Sequence, residues 1–166
     1  MLGFLILTTA YINANSLVSE TCSQTQNPSL CNQVLGSAPG ASTTDLKGLG
    51  YISINIALTN AKQTSPYIAS LVNQSTDLTL RDRYQNCVEN YASAIDALNN
   101  SKMFLDKGDI PSLQTFASTA FDGPDTCCDN FEGPPVAPDQ LNDANEKLEG
   151  LISIVLTIGG RLARKE

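Results

Sequence analysis

Five cysteines and seventeen carboxylates are the residues of this chain whose chemistry reaches beyond packing, and no histidine accompanies them. Without an imidazole, Ser-His-Asp and Cys-His nucleophilic catalysis are excluded, as are His-ligated metal centres. The cysteines are Cys22, Cys31, Cys87, Cys127 and Cys128. None forms a C-x-x-C pair, which speaks against a tetrahedral metal site, so disulfides are the expected use in an exported chain. Cys22 and Cys31 flank the turn Gln26-Asn27-Pro28, and closing that short loop is worth about 2.7 kcal/mol in the chain-entropy model. Cys87 lies inside a long helical pattern, and a returning helix brings Cys127 or Cys128 back to it, for about 3.9 kcal/mol. Adjacent helical residues differ by about 100° in direction. Only one of the two faces Cys87 without distortion, and five cysteines leave one thiol over.

Carboxylate pairs serve acid–base catalysis when a nucleophile, metal or second perturbed group stands beside them. Glu89 and Asp96 share one helical face with Ser93 and Asn100, and Thr126 and Asp129 lie one turn apart beside Cys127. Neither set has a catalytic partner. A face of this kind accepts and donates hydrogen bonds to another molecule, or is simply solvated. Asp77, Asp109 and Asp139 each precede a helical run and read as N-terminal charges. Asn73 and Asn99 open N-x-S sequons, and a glycan on Asn99 would stand near the Glu89–Asp96 face. No cofactor motif is present, and the chain is expected to bind neither metal nor cofactor.

These residues must be positioned by a chain of 166 residues, enough for one domain with a sizeable core. With 17 Asp/Glu against 10 Lys/Arg the net charge is −7, which argues against nucleic acid and anionic membrane surfaces as partners. Residues 1–15 carry no charge, and Leu2–Ile12 is an apolar run of signal-peptide length, too short to span a bilayer. Removal after Ala14 or Asn15 leaves a secreted chain starting near residue 16. The charged tail Arg161, Arg164 and Lys165 excludes a lipid-anchor signal.

Strand patterns are scarce and helical ones many. A short helix follows Leu17. A second opens at Asn27-Pro28, as N-cap and first-turn proline, and ends at Gly36. Four long amphipathic patterns follow. The first runs from Thr44 or Asp45 to about Gln74, with a kink or shortening expected at Pro66. The second runs from Thr76 or Asp77 to about Leu105, with Tyr84, Cys87, Val88, Tyr91, Ile95 and Leu98 as its apolar stripe. Asp109 caps the third, which is expected to bend or pause at Gly123-Pro124. The fourth starts at Pro138-Asp139. The Gly48/Gly50 pair is expected to let another helix come close. The fold class is therefore all-α: an up-down-up-down four-helix bundle over residues 41–166, with a disulfide-closed helical hairpin over residues 16–40 at one end.

The segments SLVSETCSQTQNPSLC (16–31), DLKGLGYISINIA (45–57), RYQNCVENYASAIDAL (83–98) and FASTAFDGPDTCCDNFEGPP (116–135) resemble the plant invertase and pectin methylesterase inhibitor family, and within it the inhibitors of fruit pectin methylesterase. The resemblance spans residues 17–160. It implies the pairs Cys22–Cys31 and Cys87–Cys127, leaving Cys128 as a departure from the family pattern and a free thiol able to link two monomers. It implies an inhibitor and not an enzyme. The implied partner is pectin methylesterase of the cell wall, often basic, bound one to one over its substrate cleft. Inhibition of acid invertase, by the same fold, is the alternative. A secreted bundle carrying a small ligand is the reading from a different class. The implied contact residues are Glu89, Ser93, Asp96, Thr126 and Asp129, with Glu89 and Thr126 central.

Overall fold

The computed structural model describes residues 17–165. The signal peptide expected over residues 1–15 lies outside the described residues. Among them the secondary structure is helical throughout, without strands. Helix α1 covers residues 17–22. It is followed by α2 (Pro28–Gly36), α3 (Leu46–Gln74), α4 (Leu78–Lys107), α5 (Ile110–Asp129) and α6 (Asp139–Ala163).

Local chemistry sets the boundaries. Four helices start on a side-chain cap, the acceptor taking an N–H of the first turn as such caps do. Asn27 accepts from Leu30, Asp45 from Gly48, Asp77 from Leu80 and Asp109 from Ser112. Gly108 ends α4 at φ 72°, a left-handed conformation that costs glycine least. Neither proline ends its helix: α3 runs on through Pro66 and α5 through Pro124. Pro66 sits inside α3 on the solvent side with Lys62 and Gln63, so the carbonyl it leaves unpaired can face water. Pro124 sits buried inside α5, and the residue before it is glycine, which removes the Cβ that normally clashes with a proline ring.

The long helices pack in a ring, α3 on α4, α4 on α5, α5 on α6 and α6 back on α3. Leu49, Ile54, Tyr91, Leu98, Leu105, Leu141, Leu148 and Ile152 fill the centre. Of the two early glycines only Gly50 admits a neighbour. A Cβ there would lie 3.0 Å from Leu105, whereas one at Gly48 would strike Thr44 of its own approach segment. The hairpin α1–α2 is closed by Cys22–Cys31 and packs on α6 and α3. Leu30 sits where a Cβ on Gly150 would be, at 2.5 Å. The buried Arg161 of α6 binds the Glu20 carboxylate at 2.9 Å and donates to the Thr21 hydroxyl.

Candidate partner-binding site

The α4–α5 pair carries the residues marked out from sequence. Its seam is pinned along its length. Near the α4 C-terminus the Phe104 and Phe116 rings stack at 5.3 Å. Midway Gly123 lies on α4 so closely that a Cβ would come within 2.8 Å of both the Asn90 carbonyl and the Ala94 Cβ. One turn on, Cys87 and Cys127 are bonded, with Cα atoms 4.8 Å apart. At the last turn Tyr84 meets Phe131 at 5.5 Å, and Arg83 lies over the same ring. The Arg83 guanidinium also donates to the Gly133 and Pro135 carbonyls, holding the loop between α5 and α6 against α4.

Outward from this seam, Glu89, Ser93 and Asp96 of α4 and Thr126 and Asp129 of α5 are all exposed. On α4, Asn90 and Ala97 face the α5 side, and Glu89 and Ser93 flank them on the solvent side by helical geometry. On α5, Thr126 is four residues before Asn130 and three after Gly123, hence on the edge turned to α4. Glu89, Ser93 and Thr126 thus border the α4–α5 seam, Asp96 lies further out on α4, and Asp129 sits toward Glu149 of α6. Asn100 is half-buried, its amide donating to the Asp96 carbonyl at 3.0 Å, and offers less to a partner. Among the described residues there is no cluster of metal-ligating side chains.

Behind this surface lie the thiol of Cys128, expected from sequence, and two groups that were not singled out, Asn145 and Glu149. Asn145 of α6 is fully buried behind the disulfide. It accepts from the Tyr91 hydroxyl at 2.9 Å, and its amide nitrogen lies 3.3 Å from both the Cys127 and Cys128 sulfurs. Cys128, unpaired and half-buried, points to this side of α5. Burial pushes its thiol up, the Asn145 hydrogen bond pulls it down, and Glu149, Asp125 and Asp129 push it up further. Glu149 is itself held above the usual carboxylate range, by burial first and then by Asp125, Glu146 and Asp129. A buried asparagine in an amphipathic pattern looks like an ordinary surface residue, and only the α6 register, with Leu141 and Leu148 on the same side, hinted at its direction.

The model of plant invertase/pectin methylesterase inhibitors matches residues 16–158. The chain belongs to that family. This inhibitor is 57% identical to a pectinesterase inhibitor of Actinidia deliciosa over 148 residues, covering 89% of this chain and 80% of that one. It is 32% identical over 126 residues to an Arabidopsis thaliana cell wall/vacuolar inhibitor of fructosidase, covering 75% and 70%. A solved mutant form of a pectin methylesterase inhibitor from Arabidopsis superposes with TM-score 0.77 at 28% identity, over 86% of this chain and 95% of that one. The all-α bundle read from the sequence is the fold of this inhibitor and of that neighbour. The family is one of inhibitors, as are the relatives named above, and this chain is not an enzyme.

Proposed function

We propose that this protein inhibits plant pectin methylesterase by laying the α4–α5 surface, one to one, over the enzyme's substrate cleft. The observation that carries the choice of target is the 57% identity to a pectinesterase inhibitor, against 32% to a fructosidase inhibitor. The surface suits the task physically. Helices pinned by a disulfide, a glycine contact and two ring pairs lose little freedom on binding, which keeps the entropic cost of association low. Carboxylates at Glu89, Asp96 and Asp129 accept from lysine or arginine on a basic enzyme, and the Ser93 and Thr126 hydroxyls can donate or accept. Opposed charge also speeds encounter and makes it salt-sensitive. Two disulfides fit an oxidising compartment, and secretion to the cell wall is part of this reading.

Inhibition assays with pectin methylesterase and with acid invertase, run side by side on the purified chain, test the target. The esterase alone should be inhibited, and inhibition of invertase alone would transfer the assignment. The face is tested by Glu89→Lys, which should weaken esterase inhibition about tenfold to a hundredfold at low salt and less at high salt. Asp143→Lys, on exposed α6 surface beside Asn27 and Leu30, should leave inhibition unchanged. Equal losses in both variants would mean a diffuse charge effect and not a defined face.

A further inference from the structure

Two amides in the α4–α5 seam are buried without a use. The Asn90 and Asn130 Nδ2 atoms are shielded from solvent and have no hydrogen-bond partner among the described residues. Leaving a buried donor unmade is costly, and native structures avoid it unless something compensates. Their positions are related. Asn90 follows Cys87 by one helical turn, and Asn130 follows Cys127 by one turn. Because α4 and α5 run antiparallel, the two amides bracket the disulfide along the seam, each about 4.5 Å from its level by helical rise. Asn90 is next to Glu89 and one turn before Ser93. Asn130 is next to Asp129 and one turn after Thr126. Both backbones are fixed, Asn90 by the Gly123 contact and Asn130 by its N–H on the Thr126 carbonyl at 3.1 Å.

We propose that Asn90 and Asn130 are partner-binding residues, which turn outward on binding and donate to backbone carbonyls on the rim of the esterase cleft. The inference rests on the proposed function and adds to it the donor half of the surface. The exposed set is rich in acceptors, with three carboxylates and two hydroxyls. A folded enzyme's rim presents carbonyls as well as cations, and carboxylates repel carbonyls. Both residues are only half-buried overall, so a side-chain rotation brings each amide to the edge of the seam. An amide that donates to no protein acceptor in the free inhibitor can donate to a partner's carbonyl without breaking an internal bond. The third unpartnered amide atom, Asn60 Oδ1 on α3, is an acceptor in a different groove, lined by Ile56, Lys147 and Leu151, and supplies an internal control.

The test is to measure, on the whole purified chain, esterase inhibition and the thermal midpoint for Asn90→Ala, Asn130→Ala, Asn60→Ala and Asn86→Ala. Asn86 is exposed on α4 and reports the gain from helix propensity alone. Asn90→Ala should raise the midpoint by more than Asn86→Ala does. Asn90→Ala and Asn130→Ala should each weaken inhibition about tenfold, equivalent to about 1.4 kcal/mol. Asn60→Ala should not change inhibition. A lower midpoint with unchanged inhibition in the Asn90 and Asn130 variants would make the amides structural and overturn the proposal. So would unchanged inhibition without a stability change. If these variants are silent while Glu89→Lys still weakens inhibition, the face stands and only the donor role falls. If Glu89→Lys is silent too, both fall together.

Discussion

Glu20 and Glu89 are both exposed glutamates on helices, yet they stand in opposite kinds of surroundings. At the hairpin junction Glu20 is 58% exposed and spends its carboxylate on the buried Arg161, whose guanidinium also serves Thr21. Thr21 in turn donates to the Leu17 carbonyl at 2.7 Å, and Thr25 to the Cys22 carbonyl at 2.8 Å. Every polar group described there has been consumed internally. On the α4–α5 surface the carboxylates of Glu89, Asp96 and Asp129 form no ion pair among the described residues, and two amides beside them are unpartnered. Polar chemistry closed on itself holds a fold together. Polar chemistry left open on a rigid frame is available to another molecule.

The largest expected effect separates the two glutamates by one substitution. Glu20→Lys removes the counter-charge of a buried guanidinium and sets a cation beside it. Solvent screens the exposed carboxylate, so the loss should fall below that of a fully buried pair, at about 2 kcal/mol. For a chain of this length that is roughly 4–8 °C in thermal midpoint. Inhibition per folded molecule should be unchanged. The same reversal at Glu89 should do the opposite, weakening inhibition at an unchanged midpoint. Calorimetry beside an inhibition assay distinguishes them, and a loss of inhibition with Glu20→Lys would erase the contrast.

A smaller effect sharpens the comparison at the border between α5 and α6. Glu149 is half-buried and faces Asp125 and Asp129 from α5 and Glu146 on its own helix. Burial and these neighbours raise its carboxyl, so the folded protein holds the proton to higher pH than the unfolded chain does. Its contribution to stability is therefore fully present below the unfolded carboxylate range and is lost as pH rises through the raised folded value. Glu149→Gln should stabilise the protein at pH 7 and lose that advantage near pH 4. Solvent access limits the gain to less than about 1 kcal/mol. Thermal midpoints across this pH window decide it, and an equal shift at both ends would show that the carboxyl's charge is not the cause.

Sequence carries these regions unequally, for a physical reason. Caps, turns and helical faces are local, so Asn27-Pro28, Asp45, Asp77 and Asp109 announce the helix starts that the structure has. The faces of Glu89–Ser93–Asp96 and Thr126–Asp129 were also legible, because periodicity alone sets which residues share a side. That the two faces adjoin follows from the Cys87–Cys127 pair, whose partner choice came from family resemblance and not from spacing. That the helices continue through Pro66 and Pro124 was not legible, since a proline's cost depends on what surrounds it: solvent at the orphaned carbonyl, a glycine before the ring. Asn90, Asn130, Asn145 and Arg161 were illegible. Each looks like a surface residue until helices distant in sequence are brought together.

The smallest expected effect concerns Cys128, which sits between the two kinds of environment. Its neighbour Cys127 is consumed by the disulfide, while Cys128 keeps its thiol, half-buried, against the Asn145 amide. Reactivity belongs to the thiolate. Burial first, and then Glu149, Asp125 and Asp129, disfavour that charged form, and the Asn145 hydrogen bond offsets them only in part. At neutral pH alkylation should therefore run slower than for an unhindered peptide thiol, and it should accelerate as pH rises past the ordinary thiol range. Glu149→Gln, by removing one facing charge, should speed it modestly. For the same reasons the intermolecular link that an odd cysteine invites should not form readily, so size exclusion without reductant should give a monomer. Cys128→Ser should change neither the midpoint nor inhibition beyond experimental error, and non-reducing peptide maps should contain Cys22–Cys31 and Cys87–Cys127. A reducible dimer at micromolar concentration, or a Cys87–Cys128 peptide in the map, would show that this sulfur belongs to the open chemistry of the surface and not to the closed packing behind it.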